Sequence, residues 1–129
     1  MIHHSAVNID STAESIAAYH GEHNGWPGIG YSFVVRWDGS VEWCHDLDVM
    51  SYHVAGRNRE CLGICLPGDW SVDHPPARVL IATLDLLHWL RPQLPAGVRI
   101  VGHRDIALPG YGTSCPGDSW SDWRICLAI

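Results

Sequence analysis

No run of apolar residues in this sequence is long enough to cross a bilayer, which excludes a membrane-spanning helix. Its start lacks the basic and then apolar regions of a secretory leader, so the expectation is a protein made and folded in the cytoplasm. Positive charge is scarce. Eight Lys and Arg stand against 14 Asp and Glu, a net charge of −6, and a surface of that balance is a poor match for a nucleic-acid backbone or for a strongly acidic polymer. Low-complexity tracts, blocks of like charge, internal repeats and linkers are all missing, which argues against disorder and against a second module. What is left is one domain over residues 1–129, expected as a monomer with a continuous buried core.

The five cysteines lack the paired spacing of a disulfide-stapled miniprotein. Cys61 and Cys65 lie in "CLGICL", which reads as a strand and would set them on one face about 13 Å apart, at about 3.3 Å per residue. A disulfide spans no more than about 7 Å between Cα atoms, so buried core thiols are expected there. Cys44 and Cys126 carry no assignment.

Local patterns predict an alternation of strands and helices. "MIHHSAV" opens as a strand, and Ser11 with Glu14 forms an S-x-x-E box that starts a helix ending near Asn24, before Pro27. "YSFVVRWDGSVEW" reads as a hairpin turning at Asp38-Gly39, and "ECLGICLPG" as a further strand covered on both faces. "PPARVLIATLDLLHWL" has a broad apolar helical face behind two prolines suited to a first turn, "GVRIVGH" reads as a last core strand, and "DSWSDWRICLAI" as a closing helix. The expected fold is α/β, a single domain with a central mixed sheet flanked by helices.

Histidine is abundant, with nine copies. His3 and His103 are placed at the ends of the first and last strands, where α/β sheets present ligand-binding residues. Cys115 lies in the glycine-rich loop "GYGTSCPG". Taken singly each reads first as structural; taken together, two imidazoles and a thiolate are the three-ligand set of a catalytic zinc with its fourth position open. His20 and His23 sit near a helix C-terminus and read as a solvated helix end. His45, beside Cys44, Asp46 and Asp48, marks a second grouping with nothing further to support it, and His74 and His88 look incidental.

"IHHSA", "GYSF", "DGSVEW", "HVAGRN", "LGICL", "GHRD" and "TSCPG" occur in the order found in the type 2 zinc-dependent N-acetylmuramoyl-L-alanine amidases, and from residue 2 to about residue 123 the chain resembles that family, which includes phage endolysins and animal peptidoglycan recognition proteins. The resemblance implies the peptidoglycan recognition protein fold and one Zn2+ ion held by His3, His103 and Cys115. It makes His3, not His4, the ligand of the doublet. The strand pleat agrees, since neighbouring residues point to opposite faces and His4 becomes a packed or hydrogen-bonded neighbour. By the same resemblance Tyr31 and Thr113 are catalytic, as neutral hydroxyl donors to an oxyanion. Their alternatives are a core aromatic and a hydroxyl capping loop backbone. His53 and Asn58 correspond to groove residues that bind substrate: His53 could meet the scissile carbonyl or oxyanion, and Asn58 shapes the loop or holds the stem peptide.

The implied activity is hydrolysis of the bond between N-acetylmuramic acid and L-alanine, with peptidoglycan or muropeptides as partners, on the cell wall after holin release or in the cytoplasm if the role is recycling. The family pattern is incomplete in places. Ser32 stands where histidine is frequent, Tyr31 stands where some relatives have a glutamate acid, and twelve positions separate His103 from Cys115, more than in compact phage enzymes. The rivals are a recognition module that binds without cutting, which retention of Cys115 opposes, and a closed structural zinc site, which would want a fourth protein ligand. A nucleobase deaminase is disfavoured because no P-C-x-x-C occurs.

Overall fold

In the computed structural model, which describes residues 1–129, four three-residue strands form a single sheet. They are β1 (Ile2–His4), β2 (Phe33–Val35), β3 (Val41–Trp43) and β4 (Ile64–Leu66), in the spatial order β1-β4-β2-β3. β4 runs parallel to both β1 and β2, and β3 returns antiparallel to β2. The sheet is mixed and helices lie on both sides of it, as the alternating pattern predicts. β1, β2 and β4 are buried throughout, β2 and β4 in keeping with their unbroken apolar sequences; β3, with Val41 and Trp43 exposed, is an edge.

Register divides the core into two unequal halves. Ile2, Ile64 and Phe33 share one face with His4, Leu66 and Val35, and there α2 (Ala77–Leu90) packs through Val79, Leu86, Leu87 and Leu90 together with Trp70, Trp120, Trp123 and Leu127. Each such buried side chain contributes about 1.5–3 kcal/mol. On the opposite face His3, Cys65 and Val34 meet only Ile16 of α1 (Ala13–Asn24) and Ile29 as buried apolar partners. The α2 side carries the stability, and the thinner α1 side is free to hold polar groups.

The Asp38-Gly39 turn forms as expected. Gly39 has φ +88°, its amide donates to the Arg36 carbonyl, and Asp38 Oδ1 accepts from the Ser40 amide at 2.9 Å. Three expectations shift. The helix cap is Thr12, not Ser11: Thr12 Oγ1 accepts from the Ser15 amide and Ser15 Oγ from the Thr12 amide, while Ser11 Oγ donates back to the Asn8 carbonyl. Pro76 is the N-cap of α2, so both prolines precede the helix. The closing helix is one α-turn, α4 (Trp120–Trp123), continued as a 3₁₀ turn over Arg124–Leu127.

A larger correction concerns "GVRIVGH". It makes only an isolated parallel bridge, Ile2 to Gly102, and His103 begins the short helix α3 (His103–Ile106) instead of ending a strand. The reason is a diverted donor: the Gly102 amide, which would continue the ladder, donates to Asp105 Oδ2 at 2.7 Å. That carboxylate also accepts from Trp120 Nε1 at 2.9 Å, which ties α3 to α4. No helix of the fold is long and apolar enough to cross a membrane.

Candidate metal centre and adjoining grooves

The parallel register that pairs His3 with Cys65 aims His3 at the α1 face, and His4, paired with Leu66, at the other. His4 is buried there, its Nδ1 accepting the Trp70 amide at 3.4 Å with Asp69 Oδ1 3.9 Å away. The two histidines are unequal, as the pleat requires. His4→Ala removes that acceptor and leaves a buried amide unpaired, at an expected cost of about 1–3 kcal/mol, yet metal uptake should persist; His3→Ala, which leaves the buried His53 ring without its partner, should cost a similar amount and abolish uptake. Metal content after dialysis and thermal melting read both, and the opposite pattern would shift the ligand by one residue.

His3, His103 and Cys115 converge. One potential ligand atom from each lies within 4.8 Å of the other two, although the residues come from β1, the start of α3 and the loop before α4. Tetrahedral bonds of about 2.0–2.3 Å set ligand atoms about 3.3–3.8 Å apart, so the donor set fits a zinc ion after its widest gap closes by about 1 Å. No other group of three His, Cys, Asp or Glu donors gathers in the molecule, and His45 instead bonds the Ile29 carbonyl at 2.7 Å.

Electrostatics suits the imidazoles to ligation. Burial, with His53 and His103 beside it, holds His3 well below its ordinary range, and burial lowers His103, so both are neutral near pH 7. Burial pushes the Cys115 thiol up to about 12, against which the His4 amide, donating to Sγ at 3.4 Å, is a partial offset. An isolated thiol there is not a reactive nucleophile; its use is as a ligand that gives up its proton on binding.

The loop carrying Cys115 is fixed by backbone contacts. Thr113 Oγ1 accepts the Cys115 amide at 3.1 Å, Arg104 N–H donates to the Cys115 carbonyl at 2.8 Å, and the Arg104 guanidinium reaches Asp118 at 3.1 Å. Gly117, at φ +112°, sits so close to Trp70 that a Cβ would lie 2.1 Å from the Trp70 carbonyl oxygen.

Tyr31 lies against the ligands, its ring 5.1 Å from that of His3, and burial raises its phenol well above the ordinary value, so it stays protonated. It also borders a groove of about 280 Å³ along α1, with Ser5, Ser11, Ser15, Tyr19 and His20. His53 and Asn58 line a second depression of about 390 Å³ with Trp26 and Tyr52. Asn58 Oδ1 accepts the amides of His53 (2.9 Å) and Val54 (2.8 Å), a loop-shaping role. Both ring nitrogens of His53 are engaged, one with His3 at 2.9 Å and one with the Cys61 carbonyl at 3.1 Å, so a hydrogen bond from it to substrate would cost one of these.

His20 departs from expectation. It is buried, between Trp26 and Tyr31, and its Nδ1 accepts the Gly30 amide at 3.0 Å; only His23 is solvated, stacked on Tyr19. The overlooked signal is its i+4 spacing from Ile16, which places both on the inward stripe of α1. Burial lowers its pKa, so below about pH 6.5 the unfolded chain binds a proton that the folded chain resists. The stability His20 contributes is present above that pH and lost as pH falls towards its depressed folded value. Urea melts between pH 7 and 5 should show a shallower pH slope in His20→Gln than in the parent; an equal slope would refute this.

The chain is similar to known proteins in sequence and in fold. The sequence profile of the N-acetylmuramoyl-L-alanine amidase family matches residues 1–118. An endolysin of Enterobacteria phage K11 is 33% identical over 129 residues, covering 95% of this chain and 82% of the phage protein. Peptidoglycan-recognition protein SC2 of Drosophila melanogaster is 31% identical over 140 residues, covering 96% and 74%. Among solved structures, the Ph2119 endolysin of a Thermus scotoductus bacteriophage superimposes with a TM-score of 0.84 at 30% identity, over 99% of this chain and 82% of that one.

Proposed function

Because the chain belongs to the N-acetylmuramoyl-L-alanine amidase family, we propose that it hydrolyses the amide joining the lactyl group of N-acetylmuramic acid to L-alanine in peptidoglycan, using one zinc ion held by His3, His103 and Cys115. The observation that carries this reading is the convergence of those three side chains from distant parts of the sequence, with both imidazoles neutral. Zinc bound there supplies a Lewis acid for the scissile carbonyl and an activated water.

The chain's own groups do the rest. Tyr31, kept protonated beside His3, is a phenol that can donate to the oxyanion. Thr113 uses its oxygen to accept the Cys115 amide, which leaves its hydroxyl proton available for the same task. The hydroxyl- and aromatic-lined groove along α1 offers hydrogen-bonding partners to a stem peptide, and His53 and Asn58 border substrate on the Trp26–Tyr52 side. Retention of Cys115 favours cutting over binding alone.

Digestion of purified sacculi, beside soluble muropeptides, tests the reading. New free L-alanine amino groups should appear with zinc and not after chelation. Binding without new ends would replace it with a recognition role, and a preference for the soluble substrate would favour recycling over lysis.

A further inference from the structure

The contact between His53 and His3 has a direction that the heavy atoms determine. His53 Nε2 lies 3.1 Å from the Cys61 carbonyl oxygen, which can only accept, so the proton is on Nε2. In the neutral ring the other nitrogen, Nδ1, is then a lone pair. That lone pair lies 2.9 Å from His3 Nε2, which must therefore be the donor. With its proton on Nε2, His3 presents a bare Nδ1, and Nδ1 is the atom 3.6 Å from Cys115 Sγ.

The second ring is held firmly enough to impose this. The His53 and His3 rings meet edge to face, with centroids 5.0 Å apart and planes at 83°. Gly63 backs the His53 ring so closely that a Cβ would lie 3.0 Å from Cγ and Nδ1, which explains the glycine of "LGICL". Asn58 pins the backbone by accepting the amides of His53 and Val54.

We propose that His53 is a positioning residue for the metal ligand His3: a relay from the Cys61 carbonyl through His53 locks the His3 tautomer and ring angle so that Nδ1 faces His103 and Cys115. Neighbours of this kind that orient a ligand histidine typically change metal affinity about 10- to 100-fold when removed. The inference rests on the zinc reading above and gives His53 a task separate from any contact with substrate.

Two measurements test it. In the metal-free parent protein, nitrogen-15 NMR should find the His3 ring proton on Nε2, exchanging slowly with water; a proton on Nδ1 would overturn the relay without any substitution. Zinc affinity, read by chelator competition, should weaken about 10- to 100-fold in His53→Leu. In His53→Gln it should return to within about threefold of the parent, because a glutamine amide can still donate to Cys61 and accept from His3. A folded His53→Leu protein that binds zinc as well as the parent refutes the relay alone, whereas a parent that takes up no zinc removes the metal reading along with it.

Discussion

Cys115→Ala is expected to abolish hydrolysis of peptidoglycan while leaving a folded protein that still binds muropeptides. The substitution removes the only thiolate of the ligand set and leaves two neutral imidazoles, one of them half-exposed, to hold the ion. Lewis-acid stabilisation of the transition state is worth several kcal/mol, and each 1.36 kcal/mol is tenfold in rate, so kcat/KM should fall by about three decades or more. The fold should tolerate the change. Cys115 Sγ receives one weak amide contact from His4, and the loop is held instead by Thr113, Arg104 and Asp118. Muropeptide affinity within about tenfold of the parent, together with lost zinc and lost turnover, is the expected combination. Zinc retained in the variant would exclude this residue as a ligand, and turnover that survives the loss of zinc would exclude the metal as the catalyst.

Gly117→Ala should be the most damaging small substitution in the molecule. A side chain at φ +112° is strained by about 1–3 kcal/mol, and the new methyl would overlap the Trp70 carbonyl, where main chain faces main chain and neither can swing aside. A Cβ 2.1 Å from that oxygen forces the two segments apart, and the Ser119 hydroxyl, within 2.7 Å of the same carbonyl and accepting from Trp123 Nε1, would lose its partners. A total loss of roughly 3–6 kcal/mol is a large part of the stability of a small domain. Thermal unfolding should drop by about 10 °C or more. A melting temperature within about 2 °C of the parent would show that the loop has room that the packing denies.

Much of the candidate site was legible in the sequence because the residues that converge there sit where local rules hold. Strand alternation separates His3 from His4 without reference to any other part of the chain, and β1 keeps that register. His103 was identified but misplaced: the apolar run before it imitates a strand, and only the bond from the Gly102 amide to Asp105 shows that the chain turns there. The helix cap shifted by one residue because Ser11, Thr12 and Ser15 all offer hydroxyls, and Ser11 is engaged by Asn8. His20 and the His53–His3 contact were hidden for a different reason. Each depends on a partner from another element, Gly30 and Cys61 supplying the backbone groups that settle ring orientation, and no local pattern encodes such a pairing.

The proposed ligand set also fixes an order of events. His3 precedes His103 and Cys115 by a hundred and more residues, so the centre cannot close until the whole stretch between them has been synthesised. Chains released early keep the first histidine and the strands around it but not the other two ligands, and a shortened product is expected to be inert even where part of the fold forms. For a protein whose proposed substrate is peptidoglycan, incomplete copies would then leave the polymer uncut.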